Sequence, residues 1–223
     1  MQSLEDYLNL EQISSQVKNW GKYGPFDHIV IDDFFLEPIA KILADEFPAF
    51  ESEVLFNYDS ALEIKKSCNN WHYFPPQTYK VFSLLNSGTF LKFLSENLLN
   101  GQKLFADNGL NGGGWHIHKR GGKLNTHLDY SVHQKLGLER KLNIIVYMNP
   151  NWKEKWGGAL GFWGNESSEK PGELVQSVWS KFNRAVIFDT TQNSWHGLPE
   201  PLKCPAQANS TGNVWCTGFK AVW

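Results

Sequence analysis

Apolar positions recur at helical spacing through much of the first hundred residues. After about residue 104 they gather into short runs bounded by glycine, proline and asparagine. Leu4, Leu8, Leu10, Ile13 and Val17 fall on one side of a helix and predict an amphipathic helix over residues 4–17. Phe26 to Ile31 reads as a strand with Asp32 and Asp33 as its polar exit. Pro38 to Phe47 predicts a helix with proline in its first turn. Ser87 is placed to cap a helix over Thr89 to Leu99, whose apolar face is Phe90, Leu91, Phe93, Leu94 and Leu98. Asn57 to Pro76, polar and then aromatic, predicts a mobile loop that covers substrate.

The second half reads differently. Arg140 to Pro150 holds a β-branched run ended by Asn-Pro, and Gly157 to Trp163 and Asn183 to Asp189 are two further strands. Short strands at fairly regular spacing predict a β-sandwich or barrel rather than alternating β and α units. The helices are expected on the outer face of its major sheet. The organisation expected is one domain over residues 1–223, with a helical and mixed support over about 1–103 and a β core over about 104–223.

Composition narrows the function classes. A formal charge of −2 gives no electrostatic footprint for nucleic acid or an anionic membrane. No apolar run reaches the length of a membrane span, and Met1 to Asp6 lacks the basic-then-apolar pattern of a signal peptide. Cys68, Cys204 and Cys216 are odd in number and widely spaced, which fits reduced thiols and predicts a cytoplasmic protein. The sequons at Asn165 and Asn209 then read as accidental. Phe, Trp and Tyr are abundant, at 15, 10 and 7 residues, and two accounts stand open. They fill the core, or some of Trp71, Tyr73, Phe74 and Trp115 line a substrate cleft and stack on a sugar or proline ring. His28, His72 and His133 have no partner pattern and are expected at the surface. Lys65-Lys66 and Lys153-Glu154-Lys155 read as solvated turns.

Candidate chemistry centres on two histidines and an aspartate. His127 and Asp129 stand at i and i+2, which on a strand places both side chains on one face. With a second imidazole from His196 they form the ligand set of the non-haem Fe(II) oxygenases. His-x-Asp alone is weak, because seven histidines make one by chance. His116 and His118 alternate on the preceding strand. They either face the metal and contact co-substrate or substrate, or form a hydrogen-bonded strand face.

Several motifs agree in order. Gly121-Gly122-Lys123-Leu124 precedes His127-Leu128-Asp129, and Leu142-Asn143 leads to Tyr147-Met148-Asn149. Trp156-Gly157-Gly158-Ala159-Leu160, Phe182-Asn183-Arg184 with Phe188, and Ser194-Trp195-His196-Gly197-Leu198-Pro199-Glu200-Pro201 follow. Over residues 113–205 the chain resembles the prolyl-hydroxylase-like branch of the 2-oxoglutarate/Fe(II)-dependent oxygenases. The resemblance implies a double-stranded β-helix, a mainly β jelly roll of cupin-like form with N-terminal helices supporting the major sheet. It implies Fe(II) held by His127, Asp129 and His196, with 2-oxoglutarate and O2 as co-substrates and ascorbate as a reductant. The implied reaction hydroxylates an unactivated C–H bond of a small-molecule or peptidyl substrate and releases succinate and CO2. Related halogenases carry Gly or Ala at the position of Asp129, so a carboxylate there argues for hydroxylation.

Tyr147 matches a tyrosine that hydrogen-bonds the co-substrate, or else is a core tyrosine on a buried strand. The chain departs from the family where an arginine holds the far carboxylate of 2-oxoglutarate. No arginine follows Arg184, and Ser210 stands roughly where it belongs. A buried carboxylate needs a cationic partner. Lys220 supplies it, or Lys203, Lys123 or Arg184 does so from another direction, or co-substrate binding is weak or lost. Two other classes therefore remain open: a cupin-like metalloenzyme without 2-oxoglutarate, and a catalytically impaired jelly-roll binding protein.

Overall fold

The strands are β1 (His28–Ile31), β2 (Phe56–Asp59), β3 (Glu63–Cys68), β4 (Gly114–His118), β5 (Lys123–Leu124), β6 (Leu142–Tyr147), β7 (Leu160–Ser167), β8 (Lys170–Val178), β9 (Ala185–Asp189), β10 (His196–Gly197) and β11 (Cys216–Val222). In this computed structural model, residues 3–133 and 135–205 are described, together with the backbone of Cys216–Val222. The major sheet has eight strands in the order β1-β9-β6-β11-β4-β3-β2, with β5 paired to β3; β10-β7-β8 make a second, three-stranded sheet. Every pairing is antiparallel. That arrangement is the jelly-roll type expected, mainly β with helices on one side. Among the described residues no helix is long and apolar enough to cross a membrane.

Four helices, α1 (Leu10–Val17), α2 (Glu37–Asp45), α3 (Pro76–Leu85) and α4 (Gly88–Leu98), supply the support. Pro38 sits in the first turn of α2, and the Ser87 hydroxyl accepts the Phe90 N–H at the start of α4. The helix expected over residues 4–17 is split. Leu4–Asp6 forms a 3-10 turn, and Leu8 bridges Phe35 before the Asn9 side chain caps α1 by accepting the Gln12 N–H. Backbone pairing with the 34–35 segment thus outcompetes a continuous helix. The sequence reading passed over α3, though Pro75-Pro76 opens it and Val81, Phe82, Leu84 and Leu85 are buried along it.

The apolar core has two parts. A larger cluster lies between the helices and the outer face of the major sheet, with Phe34, Phe35, Phe82, Phe90 and Trp115 fully buried. Each such side chain contributes roughly 1.5–3 kcal/mol on transfer from water. A smaller cluster lies between the two sheets and contains Tyr147, Trp152, Phe162, Val186 and Phe188. Phe74 and Trp115 pack edge to face at 4.9 Å inside the larger cluster, so for these two the core account of the aromatics holds. Gly114 has φ +95°, and a Cβ there would fall 2.1 Å from the Cys68 carbonyl oxygen; only glycine lets β4 lie this close to β3.

Three surface expectations are corrected. His28 is buried because it opens β1 between the sheets, hydrogen-bonded to the Phe26 carbonyl and edge-on to Phe162 at 4.7 Å. His133 is buried because Asp107 pairs with it at 3.1 Å. Lys65 and Lys66 lie in β3 rather than in a turn: Lys65 Nζ pairs with Glu63 at 2.7 Å, and Lys66 Nζ donates to the Phe50 carbonyl. Much of the segment expected as a loop over 57–76 is the β2–β3 hairpin, whose alternating polar positions went unread as strands.

Candidate metal centre

His127 and His196 meet because two short backbone stretches pair. His127 N–H donates to the His196 carbonyl at 2.9 Å, and His196 N–H returns the bond at 3.0 Å. The imidazoles lie with centroids 4.4 Å apart. Asp129, two residues on, presents its carboxylate to both: Oδ1 is 3.8 Å from His127 Nε2 and Oδ2 is 3.9 Å from His196 Nε2. Ligand atoms of these three residues all lie within 4.8 Å of one another. Gly197 lets β10 seat here, since a Cβ would come 2.8 Å from the Leu124 carbonyl oxygen.

The surrounding hydrogen bonds fix which atoms face the centre. His127 Nδ1 lies 2.8 Å from the Asn125 carbonyl and His196 Nδ1 lies 2.7 Å from the Ser194 carbonyl. A carbonyl only accepts, so each Nδ1 carries the proton and each Nε2 keeps its lone pair. Asp129 Oδ2 accepts Asn143 Nδ2 at 2.8 Å and Arg140 Nη2 at 3.2 Å. Both partners are fully buried and hold the carboxylate against rotation. Two neutral imidazoles and an oriented carboxylate suit a divalent first-row metal, and donors from one side leave positions open for other ligands.

A cavity of about 460 Å³ opens from His127 and Asp129 towards the β2–β3 hairpin. It includes His116 in its wall, along with Tyr58, Ser67, Tyr130 and Arg140. His118, on the same face of β4, is not among the wall residues; its ring hydrogen-bonds the Ile64 backbone, and its Nδ1 is buried. Burial, with the charge of Lys65 nearby, pushes the His118 imidazole down to about 3. The folded protein therefore holds His118 neutral where the unfolded chain takes up a proton. Stability tied to this residue is present above pH 6.5 and is lost as pH falls from there towards 3, by about 2 kcal/mol at pH 5. His118→Gln should flatten the unfolding free energy over pH 6.5–5 by that amount; parallel curves would refute the assignment.

Tyr147 is buried in the cluster between the sheets, where its N–H donates to the Arg184 carbonyl, while Phe188, opposite Asn143 on the same strand pair, lies with its ring 4.7 Å from that of His196. The backbone of Lys220 pairs with Gly114 on one side and Ile145 on the other, but its side chain lies outside the described residues, as does Ser210. Three other cations are committed elsewhere: Arg184 to Asp32, Lys203 to Glu200, and Lys123 to the Ala61 carbonyl. Sequence reasoning missed Arg140, Asn143, Tyr58 and Tyr130. A basic residue directly ahead of an apolar strand was the available signal for Arg140.

Residues 113–215 match the family profile described as "2OG-Fe(II) oxygenase superfamily". The match takes in a little under half of the chain, the part that carries His127, Asp129 and His196. Its likeness is to the prolyl-hydroxylase-like branch. A stretch of 63 residues is 32% identical to prolyl 3-hydroxylase OGFOD1 of Xenopus laevis, covering 28% of this chain and 12% of that protein's length. The chain shares its fold with a Pseudomonas putida prolyl-4-hydroxylase, with a TM-score of 0.67 at 13% identity over 94% of this chain and 97% of the other. A prolyl hydroxylase of Trichoplax adhaerens, solved with a hypoxia inducible factor oxygen degradation domain peptide, gives a TM-score of 0.58 at 15% identity, over 95% and 89% of the two chains.

Proposed function

We propose that this chain hydroxylates an unactivated C–H bond in an Fe(II)- and 2-oxoglutarate-dependent reaction, with His127, Asp129 and His196 holding the metal. The observation that carries this reading is the convergence of two proton-free Nε2 atoms and one carboxylate within 4.8 Å, each held in place by hydrogen bonds to its far side. The family match over residues 113–215 favours it over a cupin-like reaction without 2-oxoglutarate or a binding role. When bound, iron with 2-oxoglutarate and O2 supplies oxidative decarboxylation to succinate and CO2 and the oxidising power for the C–H bond.

The chain's own residues do the rest. Asn143 and Arg140 aim the Asp129 carboxylate, and the Asn125 and Ser194 carbonyls set the imidazole tautomers. Tyr147, buried in the cluster between the sheets, is the proposed hydrogen-bonding partner of 2-oxoglutarate, whereas His118, whose ring bonds the Ile64 backbone outside the cavity wall, serves the strand face instead. Lys220 on β11 supplies the cation for its far carboxylate; β11 lies next to β6, which carries Tyr147. The acceptor is a small molecule or a peptidyl group, and ascorbate serves as reductant. The reading takes residues 1–223 as one domain, supported by the β1–β9 pairing that ties the two halves together. It takes the protein as cytoplasmic, supported by the buried free thiols of Cys68 and Cys204.

Anaerobic titration of the Fe(II)-loaded protein with 2-oxoglutarate tests the chemistry. A visible metal-to-ligand charge-transfer band is expected; iron binding without that band rejects 2-oxoglutarate as co-substrate. Lys220→Ala should raise the 2-oxoglutarate concentration at half-maximal band intensity by about tenfold or more, the worth of a lost charge-assisted hydrogen bond. An unchanged midpoint removes Lys220 from the site.

A further inference from the structure

The cavity beside the candidate metal centre has an unusual wall. Alternate residues of β3 face it, and all are polar: Glu63, Lys65 and Ser67, followed by Asn69 just past the strand end. Among all the wall residues the aliphatic ones are three leucines, Leu62, Leu124 and Leu128. Small-molecule sites are mostly apolar with a few placed polar groups. Here apolar surface still predominates, but the polar groups are many rather than few.

The charges of this wall are already matched. Lys65 pairs with Glu63 at 2.7 Å and Arg140 with Asp129 at 3.2 Å. Among the described wall residues both formal cations thus sit beside a carboxylate, although Arg140 keeps Nε and Nη1 without a hydrogen-bond partner. Hydrogen-bonding capacity, by contrast, is left over. The Ser67 and Tyr58 hydroxyls carry no hydrogen bond, and Asn111 Nδ2 is buried without an acceptor. Asn69 and Asn125 spend their amide N–H groups on the Leu110 and Ala61 carbonyls, which leaves their side-chain oxygens as acceptors. Unspent donors and acceptors thus both line a space of about 460 Å³. Two aromatic rings, Tyr58 and Tyr130, are each more than a third exposed and line the same space.

We propose that the acceptor substrate is a neutral or amino sugar, free or as the terminal unit of a glycan, rather than a prolyl residue. This rests on the reading of His127, Asp129 and His196 as the reaction centre. Each sugar hydroxyl both donates and accepts, so a polyol ring satisfies a mixed wall of amides and hydroxyls. Its C–H faces pack on tyrosine rings. A pyrrolidine ring offers no hydrogen bonds and would bury Ser67, Asn111 and Asn69 against carbon, at a cost for each group left without a partner. The matched charges of Lys65 and Arg140 are compatible with it, because a neutral ligand leaves both ion pairs intact, and the unspent Nε and Nη1 of Arg140 can donate to sugar oxygens.

The test is a glycan array of neutral and amino mono- and oligosaccharides probed with the full chain, with and without Mn(II) and 2-oxoglutarate, beside an array of prolyl peptides. Retention on at least one glycan is expected. Calorimetry with that glycan should show about a tenfold weakening for each of Ser67→Val and Tyr58→Ala, the equivalent of one lost hydrogen bond. Ser67→Thr should retain binding, and unchanged unfolding midpoints exclude misfolding as the cause. Binding to no glycan, binding to prolyl peptides instead, or glycan affinity indifferent to both substitutions overturns the proposal. The charge-transfer titration needs no acceptor, so it reports separately on the iron and 2-oxoglutarate chemistry. Its failure with glycan binding intact would remove the hydroxylase reading and leave the sugar site standing.

Discussion

Asp129→Asn is expected to lower Fe(II) affinity by more than about 100-fold and to reduce Fe(II)-dependent succinate formation to background. That exceeds the roughly 10–100-fold commonly lost when an outer-shell partner is removed. The amide is the informative replacement because it keeps the shape of the side chain. Its carbonyl oxygen still accepts from Asn143 Nδ2 and Arg140 Nη2, which hold Oδ2 at 2.8 and 3.2 Å in the parent. Asp129→Ala would strip both buried donors of their acceptor and mix a folding cost into the result. His127→Ala should have the same effect on turnover as Asp129→Asn, whereas Asn143→Leu should fall within the 10–100-fold range. Mn(II) titration by calorimetry and succinate release read these effects. Unaltered turnover in Asp129→Asn would sink the assignment of the three ligands.

Arg140→Met is expected to destabilise the metal-free protein by about 3–5 kcal/mol, the usual cost of removing one partner of a buried ion pair. Arg140 is 1% exposed, and its guanidinium is the cation beside an Asp129 side chain that is itself only 6% exposed. Without it the carboxylate remains buried, with Asn143 Nδ2 still donating to it. A divalent metal on the other side of Asp129 compensates the same charge. Saturating Mn(II) should therefore shrink the difference between variant and parent. Denaturant unfolding with and without Mn(II) measures both numbers. An equal loss in the two conditions would mean that Arg140 acts through packing, as in its stacking on the Tyr130 ring at 4.4 Å, and not through the charge of Asp129.

The two effects show why the site was only partly legible in the sequence. His127, Asp129 and His196 announce themselves through residue type and order, and Tyr147 through its place in an apolar run. Arg140 and Asn143 do not. Nothing local distinguishes a basic residue before a strand that solvates its charge from one that turns inward to hold a carboxylate. The same limit explains His28 and His133, whose partners lie far away in the chain or in a neighbouring loop. It also explains Lys65, whose position in β3 turns an apparent solvated pair into part of a cavity wall.

By itself the sequence determined the β-rich second half, helices α2 and α4 with their proline and serine start signals, and the three residue types able to bind a metal. These follow from short-range rules: period, capping and ligand chemistry each act within a few residues. Tertiary structure alone decided that the 4–17 helix breaks at Leu8 and that 56–68 forms a hairpin. It also decided that Arg140 and Asn143 grip Asp129, and that Tyr58, Ser67 and Tyr130 share one cavity. Each of these is a contact between residues remote in the chain or on different elements. Backbone pairing and charge burial set their energies, and neither exists until the sheets close.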